Sequence, residues 1–187
     1  MEITCGLDEI LKPDNCNDRG GIRAAYWFNS SDVDWDSMIA EPTDFDTTNH
    51  IILDYVMLNS ATMNKINFEA KSGFFDFTYT SDADVYEILV QFMFRGSDNA
   101  RELSFQKAIA CCNIGLHLYL NDGTQRVVCQ DYNGTTIQDQ LEPLRVGRHL
   151  TSSGQLGTSK SREEIDLVGQ SFFRPLFATV AESALPL

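Results

Sequence analysis

The sequence predicts a mainly β protein, an antiparallel sandwich or barrel with one α-helix packed against it. Three observations carry that expectation. Residues 114–130 alternate Leu116, Leu118 and Leu120 with His117 and Tyr119, turn at Asn121-Asp122-Gly123, and return through a Val-rich run. A second ribbon follows, with Val146, His149 and Thr151 leading towards Ser153-Gly154 and Ile165, Leu167 and Val168 coming back. The best helical spacing in the chain is the segment after Asp98-Asn99, where Leu103, Ala108 and Ile109 share one side and either polar residue can cap the start.

Composition narrows the field. At 187 residues and 43% hydrophobic, the chain suits one domain with a substantial core. The 27 acidic against 14 basic residues give a net charge of -13, which repels a polyphosphate and argues against binding nucleic acid through a basic face. No window approaches the roughly 18 consecutive apolar residues of a membrane span, and the start of the chain lacks an apolar run of signal length, so a soluble protein folded in cytoplasm is expected. The five cysteines are irregularly spaced, as reduced thiols are; Cys5 with Cys16 is the one tempting pair.

The elements follow in order. Residues 1–21 form an extended arm, broken at Lys12-Pro13-Asp14-Asn15 and Gly20-Gly21. Residues 22–29, IRAAYWFN, make the first core strand. From Ala24 to Asn64 there is no Lys or Arg, while Asp32, Asp34, Asp36, Glu41, Asp44, Asp46 and Asp54 supply seven carboxylates; about residues 30–50 read as an acidic loop or a long exposed hairpin. A strand at 51–58 returns to the body, and residues 66–79 read as two strands joined at Ser72-Gly73. Residues 86–94 suit a strand, and the apolar tail at 174–187 packs on the body or on a neighbouring subunit.

No catalytic constellation emerges. Asp32, Asp34 and Asp36 alternate like the opening of a calcium loop, but Ser37 stands where that loop needs Gly and Thr43 where it needs a bidentate acid. Asp44 and Asp46 have nothing beside them to split their pKa values into acid and base. His50, His117 and His149 lie in separate segments without zinc-like spacing, and Cys111-Cys112 stands near a helix end rather than at the start that activates a thiolate. The sequence therefore yields no catalytic, cofactor-binding or metal-ligating residue, and an enzyme is disfavoured.

Two blocks carry a family resemblance. CGLDEILKPDNCNDRGGIRAAYWFN, with Cys5, Gly6, Cys16 and Gly20-Gly21, and the stretch from IGLHLYLNDGTQRVVCQDYNG through LTSSGQLGTSKSREEIDLVGQSFFRP, resemble the tail tube proteins of bacteriophages, particularly of phages infecting Bacteroidetes. Together they cover about half the chain. The chain departs from that pattern at 146–150, where VGRHL replaces a Gly-Leu step, and the register of the 145–157 ribbon is left open. The resemblance implies a structural virion protein, assembled in the host cytoplasm, whose hexameric rings share an inner β-barrel and stack into a hollow tube. Its partners would be further copies of itself and other tail proteins, with phage DNA passing through the bore unbound and no membrane or cofactor involved. The inner tube of a contractile injection or secretion system is a close alternative. A monomeric β-sandwich module binding carbohydrate or another ligand, with Trp27, Trp35 and Tyr132 as stacking groups, is a reading of a different class; a hydrolase built on the paired carboxylates is a third.

Overall fold

A computed structural model describes residues 21–69, 72–96, 98–110, 113–152 and 161–187. Nearly all of the expected arm, the Cys5 and Cys16 pairing, Cys111-Cys112 and the tip of the second ribbon lie outside these residues. The first strands are β1 (Ile22–Asn29), β2 (Phe45–Asp46), β3 (Ile51–Ile52), β4 (Asn64–Lys65), β5 (Phe74–Thr80) and β6 (Val85–Arg95). Then come β7 (Ile114–Leu120), β8 (Gln125–Val128), β9 (Gln130–Tyr132), β10 (Ile137–Asp139), β11 (Glu142–Ser152), β12 (Arg162–Ser171) and β13 (Leu176–Ala178). Two helices, α1 (Trp35–Ala40) and α2 (Asn99–Ala110), complete the set with three short 3-10 turns.

The protein is mainly β, as its sequence predicts. Eleven strands form one hydrogen-bonded sheet, and β9 with β10 forms a separate ribbon. The large sheet has two halves. One runs β4-β1-β7-β8-β13-β3-β2 and the other β11-β12-β6-β5. They join where β8 has ended: Leu144 of β11 takes the place opposite Ile114 of β7. At another corner Ile22 bridges to Gly73, just ahead of β5, through a 3.0 Å bond from the Ile22 N–H.

Folding the halves over one another makes a core from their facing sides. Ala25, Leu116, Leu118 and Val128 of the first half meet Ile88, Val90, Phe92, Ile165 and Leu167 of the second. The first half is also covered on its other face. There Tyr26, Phe28, Tyr119 and Val127 pack against Met38, Phe45, Ile52 and Tyr55 from the excursion between β1 and β5, and against Leu176, Val180 and Leu185 of the tail. The result is three layers, with β7 in the middle and buried on both sides from Ile114 to Tyr119. Leu116, Leu118 and Leu144 are fully buried, and truncating any one to Ala removes on the order of 2–5 kcal/mol of stability.

The structure corrects several expectations. Among the described residues there are two helices, where the sequence predicts one, and the sheet is mixed, because the tail strand β13 lies parallel to β3. Residues 30–50 are neither a loop nor a long hairpin: they hold α1 and then a short β2-β3 hairpin. Asp34 starts α1 by accepting from the Ser37 N–H at 3.1 Å, and Asp46 builds the hairpin turn by accepting from the Thr48 and Asn49 N–H groups. The strand expected at 51–58 shrinks to Ile51–Ile52, followed by a lone bridge of Met57 to Val33 ahead of left-handed Asn59 and Ser60. The 66–79 hairpin does not form; β5 pairs instead with β6, across a turn that ends in left-handed Asp84. Gly73 serves a close approach: a Cβ there would stand 2.9 Å from Ile22 Cβ and from the Phe68 ring. On α2, Asp98 accepts from the Ala100 N–H at 2.8 Å as a cap should, but Leu103 is half exposed rather than on a buried face.

The register of the second ribbon is set over Glu142–Ser152, with Val146 opposite Leu167 and His149 opposite Ile165, and with irregularities before Arg145 and before Arg148. Gly147 falls at the second of these, where a Cβ would meet Val168 at 2.8 Å.

Gly115 of β7 faces Phe28 of β1, whose ring lies where a Cβ would sit, at 2.5 Å from Cε2. Phe28 is held in turn edge-on against Tyr55, 6.0 Å between centroids. Gly115→Ala is expected to lose about 1–3 kcal/mol by overpacking, read as a lower urea midpoint. An unchanged midpoint would mean that the Phe28 ring gives way freely.

Candidate functional site

The histidines and acids that a sequence search singles out are dispersed by the fold. Among the described residues no three His, Cys, Asp or Glu side chains gather as a metal site. Asp34 and Asp46 are half-buried and bind the chain's own backbone; the Ser37 N–H and hydroxyl hold the Asp34 carboxyl below its usual pKa, and the Asn49 side chain and N–H do the same for Asp46. Trp35 donates Nε1–H to the Ser30 carbonyl at 3.0 Å. Tyr132 is buried, packed edge-on against Phe45 at 5.0 Å and against His50 at 4.7 Å, and with His50, Phe173 and Phe177 it lines a cavity of about 340 Å³. Trp27 lines an open cavity of about 580 Å³ together with Asp32, Asn64, Lys65 and Lys107.

Buried polar groups act as pins between layers. His117 is fully buried on the β7 face turned to the excursion and tail. The Val180 N–H donates to Gln125 Oε1 at 3.0 Å, so the same oxygen accepts from His117 Nε2–H, also at 3.0 Å. That fixes Nδ1 as the acceptor for the Tyr55 hydroxyl at 2.9 Å. Burial pushes His117 down to a pKa of about 4, and the ring stays neutral. Cys129 is buried beside this core, and burial raises its thiol well above the ordinary value, the opposite of activation.

Asp131 of β9 is the second pin. Its carboxyl meets the Ser171 hydroxyl and the Phe172 N–H at the end of β12. Ser171 Oγ also lies against the Phe173 carbonyl and accepts from the Phe173 N–H. One hydroxyl hydrogen cannot serve both Asp131 and the carbonyl. Burial raises Asp131 to a pKa of about 6, and below that pH the protonated acid can donate to Ser171 while Ser171 donates to the carbonyl; above it the carboxylate and the carbonyl compete for the one hydroxyl hydrogen.

The third pin is Glu163, fully buried at the end of the sandwich core. Arg101 of α2 donates to it at 2.5 Å while lying over the Phe94 ring, and His149 of β11 contacts its other oxygen at 2.7 Å. The sequence points to His117 and His149 but not to Asp131 or to Tyr55, Val180, Arg101 and Ser171, which the fold brings to these groups from distant segments.

The outer surface of the β5-β6-β12-β11 half is the remaining candidate. Both flanking strands have an open side: among the described residues no strand pairs with β5 over Phe74–Thr80 except β6, or with Arg145–Ser152 of β11 except β12. Phe74 and Tyr79 are half exposed along the first of these edges. No protein-family model matches the chain, and no curated protein or solved structure matches it either.

His117 and Asp131 make opposite contributions to stability against pH. The unfolded chain protonates its histidine near 6.5 and the folded chain only near 4, so His117 stabilises above about 6.5 and that contribution is lost as pH falls towards 4. Asp131 stabilises below 3.8, and its contribution is lost as pH rises through about 6. Each is worth about 3 kcal/mol, and they offset one another between roughly pH 6.5 and 4.5. Asp131→Asn keeps the bonds of the protonated acid. The variant is expected to be more stable than the parent near neutral pH and to lose stability on mild acidification where the parent does not, measured by urea midpoints across the range. A variant less stable at neutral pH would overturn the assignment of the proton.

Proposed function

We propose that this chain is a structural virion protein, a tail tube subunit that works by polymerising into stacked rings around a passage for phage DNA. The observation that carries the reading is the four-stranded half β5-β6-β12-β11, which among the described residues has an open edge on each side. Its strands are antiparallel throughout, so an even number of them leaves the two edges running in opposite directions. Rotating one copy beside another then brings β5 of the first against β11 of the second as a further antiparallel pair. Repeated, this head-to-tail contact closes into a ring with one continuous inner sheet and no edges left. The edge at β5, FFDFTYT, has one charge and no Lys or Pro to discourage pairing. The resemblance of residues 5–29 and 114–175 to tail tube proteins supports the same assembly. The inner tube of a contractile injection system would use the same contact.

Electron microscopy of the purified protein is expected to give six-membered rings or tubes. A strict monomer under all conditions, including with its initiator complex, would overturn the proposal.

The cavity beside Trp27 favours a second reading, a ligand-binding module in which the indole lines a sugar or small-molecule site. A glycan and small-molecule screen of the parent and Trp27→Ala proteins decides it. Specific binding that the variant loses supports the module, and no binding removes it.

A further inference from the structure

The four arginines on the outer face of the β5-β6-β12-β11 half are each held by a carboxylate. Strand alternation places them there. Ile165 and Leu167 of β12 face the core, so Glu164, Asp166 and Val168 face out, together with Arg148 and Arg145, which stand opposite Asp166 and Val168. Arg162 and Arg95 stand opposite one another on the same face.

Each arginine has its partner at short range. Arg95 meets Glu69 at 2.8 Å and Arg145 meets Glu142 at 3.2 Å. Arg148 spans Glu164 at 2.8 Å and Asp166 at 2.9 Å, and Arg162 meets the other Glu164 oxygen at 3.1 Å. The last Asp166 oxygen accepts from Gln91 Nε2 at 2.8 Å. Every oxygen of Glu164 and Asp166 is thus engaged. The two carboxylates are themselves sunk, at 8% and 17% side-chain exposure, against the Arg148 side chain, which is 51% exposed. Ordinary surface pairs are loose and screened by salt. A carboxylate fixed against its arginine on two sides is harder to displace, because releasing the arginine strands a half-buried charge.

None of the four strands carries a lysine. A lysine's mobile point charge would remain available to a phosphate, whereas a planar guanidinium can be occupied by a carboxylate fork. On the same face Asp76 and Glu87 make no ion pair with a described residue, so the uncompensated charge there is negative.

We propose that Glu164 and Asp166 mask Arg148 and Arg162, so that the outer face of this sheet lies against duplex DNA without adhering to it. The inference rests on the tube reading for its partner, a polyanion that must slide. An arginine free to meet phosphate would release condensed counterions and bind; an arginine already neutralised gains nothing by the exchange.

The test uses the full chain and a short labelled DNA duplex, with affinity read by fluorescence anisotropy. The double variant Glu164→Gln with Asp166→Asn removes two negative charges and frees Arg148 and Arg162. The double variant Asp76→Asn with Glu87→Gln removes the same charge from the same face and frees no arginine. Masking predicts no binding by the parent or by the second variant, and measurable binding by the first. With two phosphates engaged, that binding weakens about tenfold between about 50 and 200 mM salt. Equal gains in the two variants would make net charge the cause and overturn the proposal, as would tight binding by the parent or no gain in a folded first variant. Should the first variant not fold by circular dichroism, Glu164→Gln alone, which frees Arg162, carries the comparison against Glu87→Gln. Ring formation is scored separately by microscopy. Rings without the DNA effect sink the masking alone, and the DNA effect without rings sinks the tube alone.

Discussion

The whole architecture depends on β7 being buried on both faces. A half-buried strand alternates apolar with polar residues, but Ile114–Tyr119 has no solvent face to spend on polar groups. Its two sets of side chains build two different cores. Leu116 and Leu118 join the sandwich between the halves, and His117 and Tyr119 join the layer made by the excursion and the tail. The same logic runs through β1, where Ala25 faces one core and Tyr26 and Phe28 the other. A one-residue slip of β7 would put the imidazole among leucines and the leucines against Tyr55 and Gln125, so its register is fixed from both sides. Gly115 belongs to this constraint, since β1 and β7 accommodate Phe28 only where the facing residue has no side chain.

Much of the β frame is legible in the sequence wherever a turn and its two strands are neighbours. The ribbon across Asn121-Asp122-Gly123 and the strands at 22–29 and 86–94 are of this kind, because the turn chemistry and the alternation sit in the same short window. The failure at 66–79 has the same root. Ser72-Gly73 has the composition of a hairpin turn, but a glycine also permits close approach, and only the packed structure shows Ile22 and Phe68 against it. The acids of residues 32–54 mislead in a similar way. A run of carboxylates without a base suggests an exposed loop or a metal site, yet Asp34 and Asp46 are spent on orphan backbone N–H groups that let a chain turn and start a helix.

The buried polar pins are not legible at all, for a physical reason. Each depends on a partner brought from a distant segment: Tyr55 and Val180 around His117 and Gln125, Ser171 on Asp131, Arg101 on Glu163. Alone in the sequence, each group is an ordinary strand or helix residue. Their placement has a common logic, since each lies where two layers or a helix and a sheet meet. A polar group buried there is costly unless its partner arrives, so the pins penalise a misdocked tail, excursion or helix more than an apolar contact would. The tail shows this in the buried bond from the Tyr119 hydroxyl to the Val180 carbonyl and the part-buried one from Arg126 to the Pro175 carbonyl, while the more exposed Glu182 adds contacts to Tyr26 and Lys65.

Layering also decides which edges of the sheet are open to another strand. The first half ends in β2 and β4, two residues each, and strands so short offer too few backbone groups to template a partner. Its broad faces are consumed by the sandwich on one side and by the excursion and tail on the other. Among the described residues the second half keeps seven residues of β5 and much of β11 without an outer strand, and it alone turns a broad face away from the core. The side carrying the long edges is therefore also the side carrying the ion-paired surface. The third layer, by closing off the first half, confines strand addition to the second, so that any sheet continued from copy to copy would present the arginine and carboxylate ladder of β11 and β12 on its free face.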